Sequence, residues 1–153
     1  MRAVILAVLL VVNGVCAAGD AERLLGAAAA GRADQVRDLL AQGVDVNAKN
    51  AAGRPALVLA AFNGNARTVL ALLGAGAEVD AADAGGVTAL MVAAAFGHTP
   101  VVQTLVAAGG DVNRKDSAGG TALARATRGG HAGVAELLRQ AGATDDGGTG
   151  ATP

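Results

Sequence analysis

The sequence repeats with a period of 33 residues, and this period limits the possible folds more than any other feature. Two sets of glycines and two sets of leucines keep that step along the chain: Gly31, Gly64, Gly97 and Gly130; Gly43, Gly76, Gly109 and Gly142; Leu24, Leu57, Leu90 and Leu123; Leu39, Leu72, Leu105 and Leu138. A constant period of this length is typical of stacked units that bury their apolar faces only against neighbouring units. We therefore expect a solenoid that binds through a repeated surface.

The third unit, residues 83–115, indicates how each repeat should fold. After an opening turn of Asp and Gly residues, Thr88 is placed to cap a short helix. Gly97 ends that helix, and Pro100 begins a second one, where its missing N–H has no cost. Gly109 ends the second helix, and an extended segment leads to the next turn. Each unit is thus predicted to be a turn, two helices and an extended loop.

These units resemble the ankyrin repeat family over about residues 21–144, in four units at about 21–49, 50–82, 83–115 and 116–144. The resemblance is clearest in the third unit, whose matching residues are Asp83, Gly86, Thr88, Ala89, Leu90, Ala93, Ala94, Gly97, His98, Val101, Val102, Leu105, Gly109, Gly110, Asp111, Val112 and Asn113. It implies an all-α fold, an ankyrin-repeat solenoid of helix-turn-helix units joined by extended hairpin loops. The family's Thr-Pro-Leu-His segment is degraded, since Val58, Met91 and Ala124 stand in place of His.

The first 18 residues have the three-part pattern of a secretory signal peptide. Arg2 precedes the apolar run Ala3 to Val12, and small residues allow cleavage after Ala17 or Ala18. The alternative of a retained membrane anchor is disfavoured because the run is too short to span about 30 Å of hydrocarbon. A lipidated Cys16 is a further alternative with a poor sequence match.

The C-terminal end has the features of a capped solenoid. Thr127 and Arg139 replace residues that are apolar in the earlier units. Polar residues on the outer face of a terminal repeat keep a solenoid soluble. Residues 145–153 are almost free of apolar side chains, and we expect them to form a disordered tail.

Composition argues against a nucleic-acid partner. The chain has 12 basic and 13 acidic side chains, no Trp or Tyr, and two Phe. Nucleic-acid-binding domains usually have a basic excess, and those that bind single strands use several aromatic rings.

We find no pattern of catalytic or metal-ligating residues. His98 and His131 occupy one repeat position, which favours bonding to the backbone over a metal or base role. Asp45, Glu78 and Asp111 likewise share a loop position that suits turn bonding. The chain is therefore predicted to need no cofactor or metal and not to be an enzyme.

The resemblance implies a partner surface formed by loop tips and the exposed sides of the first helices. The candidate residues on that surface are Arg54, Phe62, Asn63, Val87, Phe96, Lys115 and Arg128. Exposed aromatic and Arg side chains carry much of the energy of interfaces. The alternative for the two phenylalanines is that each ring folds back over the alanine-rich groove and seals the core.

These observations together predict a non-catalytic protein–protein interaction module, monomeric and free of the membrane after signal cleavage. It would act in the periplasm or be secreted, with a protein partner of unknown identity. Three alternatives stay open: an inhibitor or immunity-type protein for an exported enzyme, a scaffold that stabilises such an enzyme, and a form tethered to the membrane through the N-terminus. A hydrolase or metal protein is a fourth, which metal analysis would expose.

Overall fold

The computed structural model describes residues 19–145, which form four helix–turn–helix units, one for each predicted repeat. The predicted signal peptide, and the predicted tail beyond residue 145, lie outside the described residues. Helix α1 covers residues 19–29 of the described part; the others are α2 (Ala33–Ala41), α3 (Ala56–Phe62), α4 (Ala66–Gly74), α5 (Ala89–Phe96), α6 (Thr99–Ala107), α7 (Ala122–Arg128) and α8 (Ala132–Gln140).

The helices pack in two rows, and the core lies between the rows. In one row the first helices α3, α5 and α7 contact each other in order, and in the second row α2, α4, α6 and α8 do the same. Both sets of repeated leucines are buried, with no member more than 2% exposed. The 33-residue period therefore places one leucine from each helix in a continuous core, and the predicted all-α solenoid is confirmed.

Local signals in the sequence fix the helix ends. The hydroxyl of Thr88 accepts a hydrogen bond from the Met91 amide at 3.4 Å, as predicted for a helix cap. Gly97 follows the last residue of α5 with φ of 72°, a left-handed conformation that favours glycine. Pro100 lies in the first turn of α6. The short connection between the two helices of a unit is thus encoded by these few residues.

Each hairpin loop is stabilised by one side chain at its start. Asp83 Oδ1 accepts hydrogen bonds from the amides of Gly85 and Val87, at 2.9 and 3.0 Å. Asn50 and Asp116 bond the equivalent amides of their own hairpins. The hairpins therefore keep one shape although their tip residues differ.

Polar bonds also join consecutive units at the base of the hairpins. A side-chain oxygen of Asn47 accepts from the amide of Glu78 at 2.9 Å. Asp80 does the same for the amide of Asp111 at 2.8 Å, and Asn113 for the amide of Thr144 at 3.0 Å. The spacing of successive hairpins is thus set by a ladder of bonds about one repeat apart in sequence.

Each histidine joins the turn between the two helices of its own unit to the first helix of the preceding unit. His98 Nε2 lies 3.1 Å from the carbonyl oxygen of Phe62, and His131 Nε2 lies 3.0 Å from that of Ala95. These carbonyls belong to the last turns of α3 and α5, where intrahelical partners run out. The predicted bonding of both histidines to the backbone is confirmed.

Thr68 on α4 is fully buried, and its hydroxyl has no hydrogen-bond partner among the described residues. The same repeat position holds Val101 and Val134. Because an unpartnered buried hydroxyl is costly, we expect Thr68→Val to raise the free energy of unfolding by about 1 kcal/mol. Urea denaturation followed by circular dichroism measures this change.

Thr104→Val is the matched control for that substitution. The Thr104 hydroxyl donates to the Pro100 carbonyl oxygen at 2.8 Å, so its replacement removes a bond instead of a buried unpartnered group. An equal gain in stability from both variants would contradict the explanation based on the Thr68 hydroxyl.

Candidate functional site

An open groove of about 390 Å³ runs across the first helices of units two to four. Its apolar surface comes from α3 and α5, which supply Val58, Leu59, Phe62, Val92, Ala95 and Phe96. The hairpins add Arg54, Asp83 and Val87, and α7 adds Arg125. The groove thus combines an apolar floor with charged groups at its edge.

The two phenylalanines of the chain meet in this groove. Their ring centroids are 4.9 Å apart, and the rings make an edge-to-face contact at 67°. Phe62 remains 47% exposed and Phe96 52% exposed. Each ring therefore packs on the other and presents about half of its surface to solvent, and neither ring is among the buried core residues or the partly buried residues packed against them.

Four of the seven candidate partner residues line this groove: Arg54, Phe62, Val87 and Phe96. The other three lie outside it. Asn63 donates from Nδ2 to the Ala29 carbonyl oxygen at 2.8 Å, which ties α3 to the preceding unit. Arg128 borders a smaller hollow beside the groove, and Lys115 is exposed on the last hairpin.

Arg125 was not predicted from the sequence, yet it lines both the groove and the smaller hollow. Leu59, Val92 and Arg125 are spaced one repeat apart on α3, α5 and α7. The signal was present in the sequence, because this repeat position holds an apolar residue in units two and three and a cation in unit four. These three residues form one wall of the groove.

Arg125 also holds the last hairpin in place. Its Nη2 donates to Asp116 Oδ2, and the Asp116 side chain is only 6% exposed. The hydrogen bond from Arg125 lowers the pKa of Asp116 from its usual range, burial opposes this change, and the amides of Gly120 and Ala118 lower the pKa further. The ionised carboxylate is therefore part of the folded hairpin.

This pKa change predicts an acid-dependent loss of stability. The folded chain keeps Asp116 ionised to lower pH than the unfolded chain does, so the unfolded chain binds the proton first as the pH falls below about 4. The contribution is fully present above that pH and is lost below it. We expect Asp116→Asn to lower the urea midpoint at pH 7, with the difference from wild type shrinking below about pH 4.

The control for that experiment is Asp34→Asn. The Asp34 side chain is 96% exposed, and within residues 19–145 its one ion pair is with Arg37, three residues away, so its loss should have a small effect. If the difference in urea midpoint between wild type and Asp116→Asn stays constant down to about pH 2, the ionic role of Asp116 is contradicted.

Within residues 19–145, no three His, Cys, Asp or Glu side chains lie close enough together to hold a metal ion. No helix in the same part of the chain has the length and apolar character needed to cross a membrane.

The fold is that of a helical repeat protein: helix-turn-helix units stack on one another, hairpin loops join them, and an open groove crosses the first helices. Proteins of this class bind partners through such extended surfaces. A sequence model of ankyrin repeats, in three copies, matches residues 24–116 and again residues 86–146. The chain therefore belongs to the ankyrin repeat family. A search of the curated proteins gave no match to this chain. Ankyrin repeats are generally protein–protein interaction modules and are typically non-catalytic.

Proposed function

We propose that this protein is a rigid, monomeric docking module that binds one partner protein in an exported compartment and performs no chemistry itself. The observation that carries the proposal is the half-exposed pair of phenylalanine rings in the groove. Large aromatic side chains contribute strongly to binding when a partner buries them.

The setting of the ring pair supports a role in docking. The pair lies across two adjacent units, with Val58, Leu59 and Val92 beside it in the groove. Hydrogen bonds between the units hold this surface in one shape. A preformed surface loses little conformational entropy on binding, so even a groove of this size can contribute useful affinity.

The N-terminal pattern supports export to the periplasm or secretion. Cleavage after Ala17 or Ala18 would remove Cys16, the one cysteine of the chain, and leave a protein that needs no disulfide bond. Mass spectrometry of the chain purified from its own cells tests this. A mature N-terminus at Ala18 or Gly19 supports export, whereas an intact Met1 in the membrane fraction supports the tethered form.

Replacing both rings, as Phe62→Ala with Phe96→Ala, should remove the partner while leaving the fold intact. Both rings are about half exposed, so their loss should cost far more in binding than in stability. We would produce the chain with a C-terminal affinity tag in its source cells and compare the proteins captured by wild type and variant. The Kd of the purified partner should rise at least about tenfold in the variant.

Leu70→Ala is the matched control, because Leu70 is a large apolar residue that is 57% exposed on α4, in the other row of helices. Equal binding by wild type, the Leu70 variant and a folded double-Phe variant would contradict the proposal. The activity and Tm of the purified partner, with and without the chain, then separate an inhibitor, which lowers activity, from a stabilising scaffold, which raises Tm.

A further inference from the structure

Charge is divided unequally between the hairpin-and-first-helix side and the rest of the protein. The hairpins and first helices of units two to four, residues 47–63, 80–96 and 113–129, contain three acidic residues and six basic ones: Lys49, Arg54, Arg114, Lys115, Arg125 and Arg128. The remaining described residues contain nine acidic and five basic side chains. A nearly neutral chain therefore carries a basic face, and the groove lies in it.

The three acidic residues on this face are all engaged within the fold. Asp80 accepts from the Asp111 amide, Asp83 accepts from two amides of its own hairpin, and Asp116 pairs with Arg125. Their charges are therefore partly satisfied by internal bonds, and the surrounding cations give the face its net positive field.

Arg54 lines the hairpin side of the groove, where its Nε lies 3.9 Å from Asp83 Oδ2, and two further cations lie at the α7 end. Arg125 and Arg128 border a hollow of about 220 Å³ that adjoins the groove at Ala95 and Arg125. Arg125 Nη2 is already bonded to Asp116, and Arg125 Nε, which has no hydrogen-bond partner among the described residues, is buried and so not open to a partner. Arg128 is exposed and belongs to none of the ion pairs found between residues 19 and 145. This end thus offers the Arg128 guanidinium next to apolar surface.

We propose that the groove binds a partner segment in which an aliphatic or aromatic side chain lies close to a carboxylate. The apolar side chain packs on Phe62, Phe96 and Val92, and the carboxylate pairs with the Arg128 guanidinium at the α7 end of the groove. Guanidinium groups match carboxylates in geometry and charge, so the pairing adds specificity as well as attraction. This inference rests on the proposed docking function and names the chemistry of the partner.

A polypeptide fits this groove better than a nucleic acid does. The two rings pack edge to face against each other, so they do not form the row of separate flat surfaces on which successive bases stack. The floor between the hairpins and α7 is apolar and matches a buried side chain instead of a phosphate backbone.

The test is selection of random peptides displayed on phage against the full chain. We expect enrichment of peptides that carry Asp or Glu within a few residues of an aliphatic or aromatic residue. A synthetic peptide of the enriched sequence should bind about fivefold more weakly to Arg128→Gln than to wild type. Its binding to wild type should also weaken as the salt concentration is raised. Arg67→Gln, an equal charge change on α4 in the other row of helices, should leave its Kd within about twofold.

The outcomes separate this inference from the proposed function. The inference of an acidic partner is overturned if the enriched peptides lack acidic residues, or if wild type and Arg128→Gln bind the peptide with equal Kd. The proposed docking function still stands in that case if the double-Phe variant loses binding. The inference is also overturned if no peptides combining acidic and apolar residues are enriched. The capture experiment in cells then tests the proposed docking function by itself. Tighter binding of a single-stranded oligonucleotide than of any selected peptide replaces the inferred partner with a nucleic acid.

Discussion

Replacing Leu72 by alanine is expected to lower the free energy of unfolding by about 3 kcal/mol, the typical cost of removing a buried leucine side chain. Leu72 is 0% exposed and belongs to the leucine row of the second helices. Its helix, α4, contacts α2, α3 and α6, so the cavity left behind would weaken contacts on several sides. Urea denaturation followed by circular dichroism measures the loss.

Leu70→Ala, two residues earlier on the same helix, is the matched control. Leu70 is 57% exposed, so the same chemical change there should alter the free energy of unfolding by no more than about 0.5 kcal/mol. Helix propensity changes equally in both variants and cancels in the comparison. Similar losses in the two variants would contradict the assignment of the leucine row as the core.

The dependence of unfolding on urea concentration gives a second result from the Leu72 variant. A solenoid unfolds as a set of units coupled through their interfaces. A lesion in unit two can uncouple the first units from the rest, in which case the slope m falls because less surface is exposed in each transition. A single transition with an unchanged slope would show that four units still unfold together.

Gly97→Ala is expected to destabilise the protein by about 2–4 kcal/mol, for two reasons that add. The residue adopts φ of 72°, which an alanine adopts only at a cost of about 1–2 kcal/mol. A Cβ atom there would also lie 2.5 Å from Nδ1 of His131, so the imidazole would have to move. That movement would break the bond between His131 and the Ala95 carbonyl oxygen.

Gly130→Ala separates the two reasons. Gly130 has the same repeat position and φ of 75°, but a Cβ atom there would meet nothing within 4 Å. It should therefore show only the conformational cost of about 1–2 kcal/mol. If Gly97→Ala is no worse than Gly130→Ala, then close packing of His131 on Gly97 does not contribute. In a His131→Ala background the two glycine variants should become equal.

The helices and their ends could be predicted from the sequence because the signals that set them are local and repeated four times. Thr88, Gly97 and Pro100 each act within a few residues of their own position, and the structure places each as expected. The buried leucines follow from the same period, since residues at one repeat position stack on one another in a solenoid.

The contact between the two phenylalanines could not be predicted in this way. Phe62 corresponds to Ala95 in the repeat, and Phe96 corresponds to Asn63, so the rings occupy neighbouring positions and not the same one. Whether such rings touch depends on the displacement between successive units, which no local pattern encodes. Asn63 shows the same limit, because it bonds the free carbonyl of Ala29 at the end of α1 instead of facing the groove.

The hairpins described above separate the residues that build the loop from the residues at its tip. Asn50, Asp83 and Asp116 hold the turns through their own side chains, whereas Ala51, Ala52 and Ala118 are exposed. Larger side chains at these alanines would extend outward without disturbing the core. New binding specificity could therefore be engineered, or could arise by mutation, at the tips of this protein while its stability stays almost unchanged.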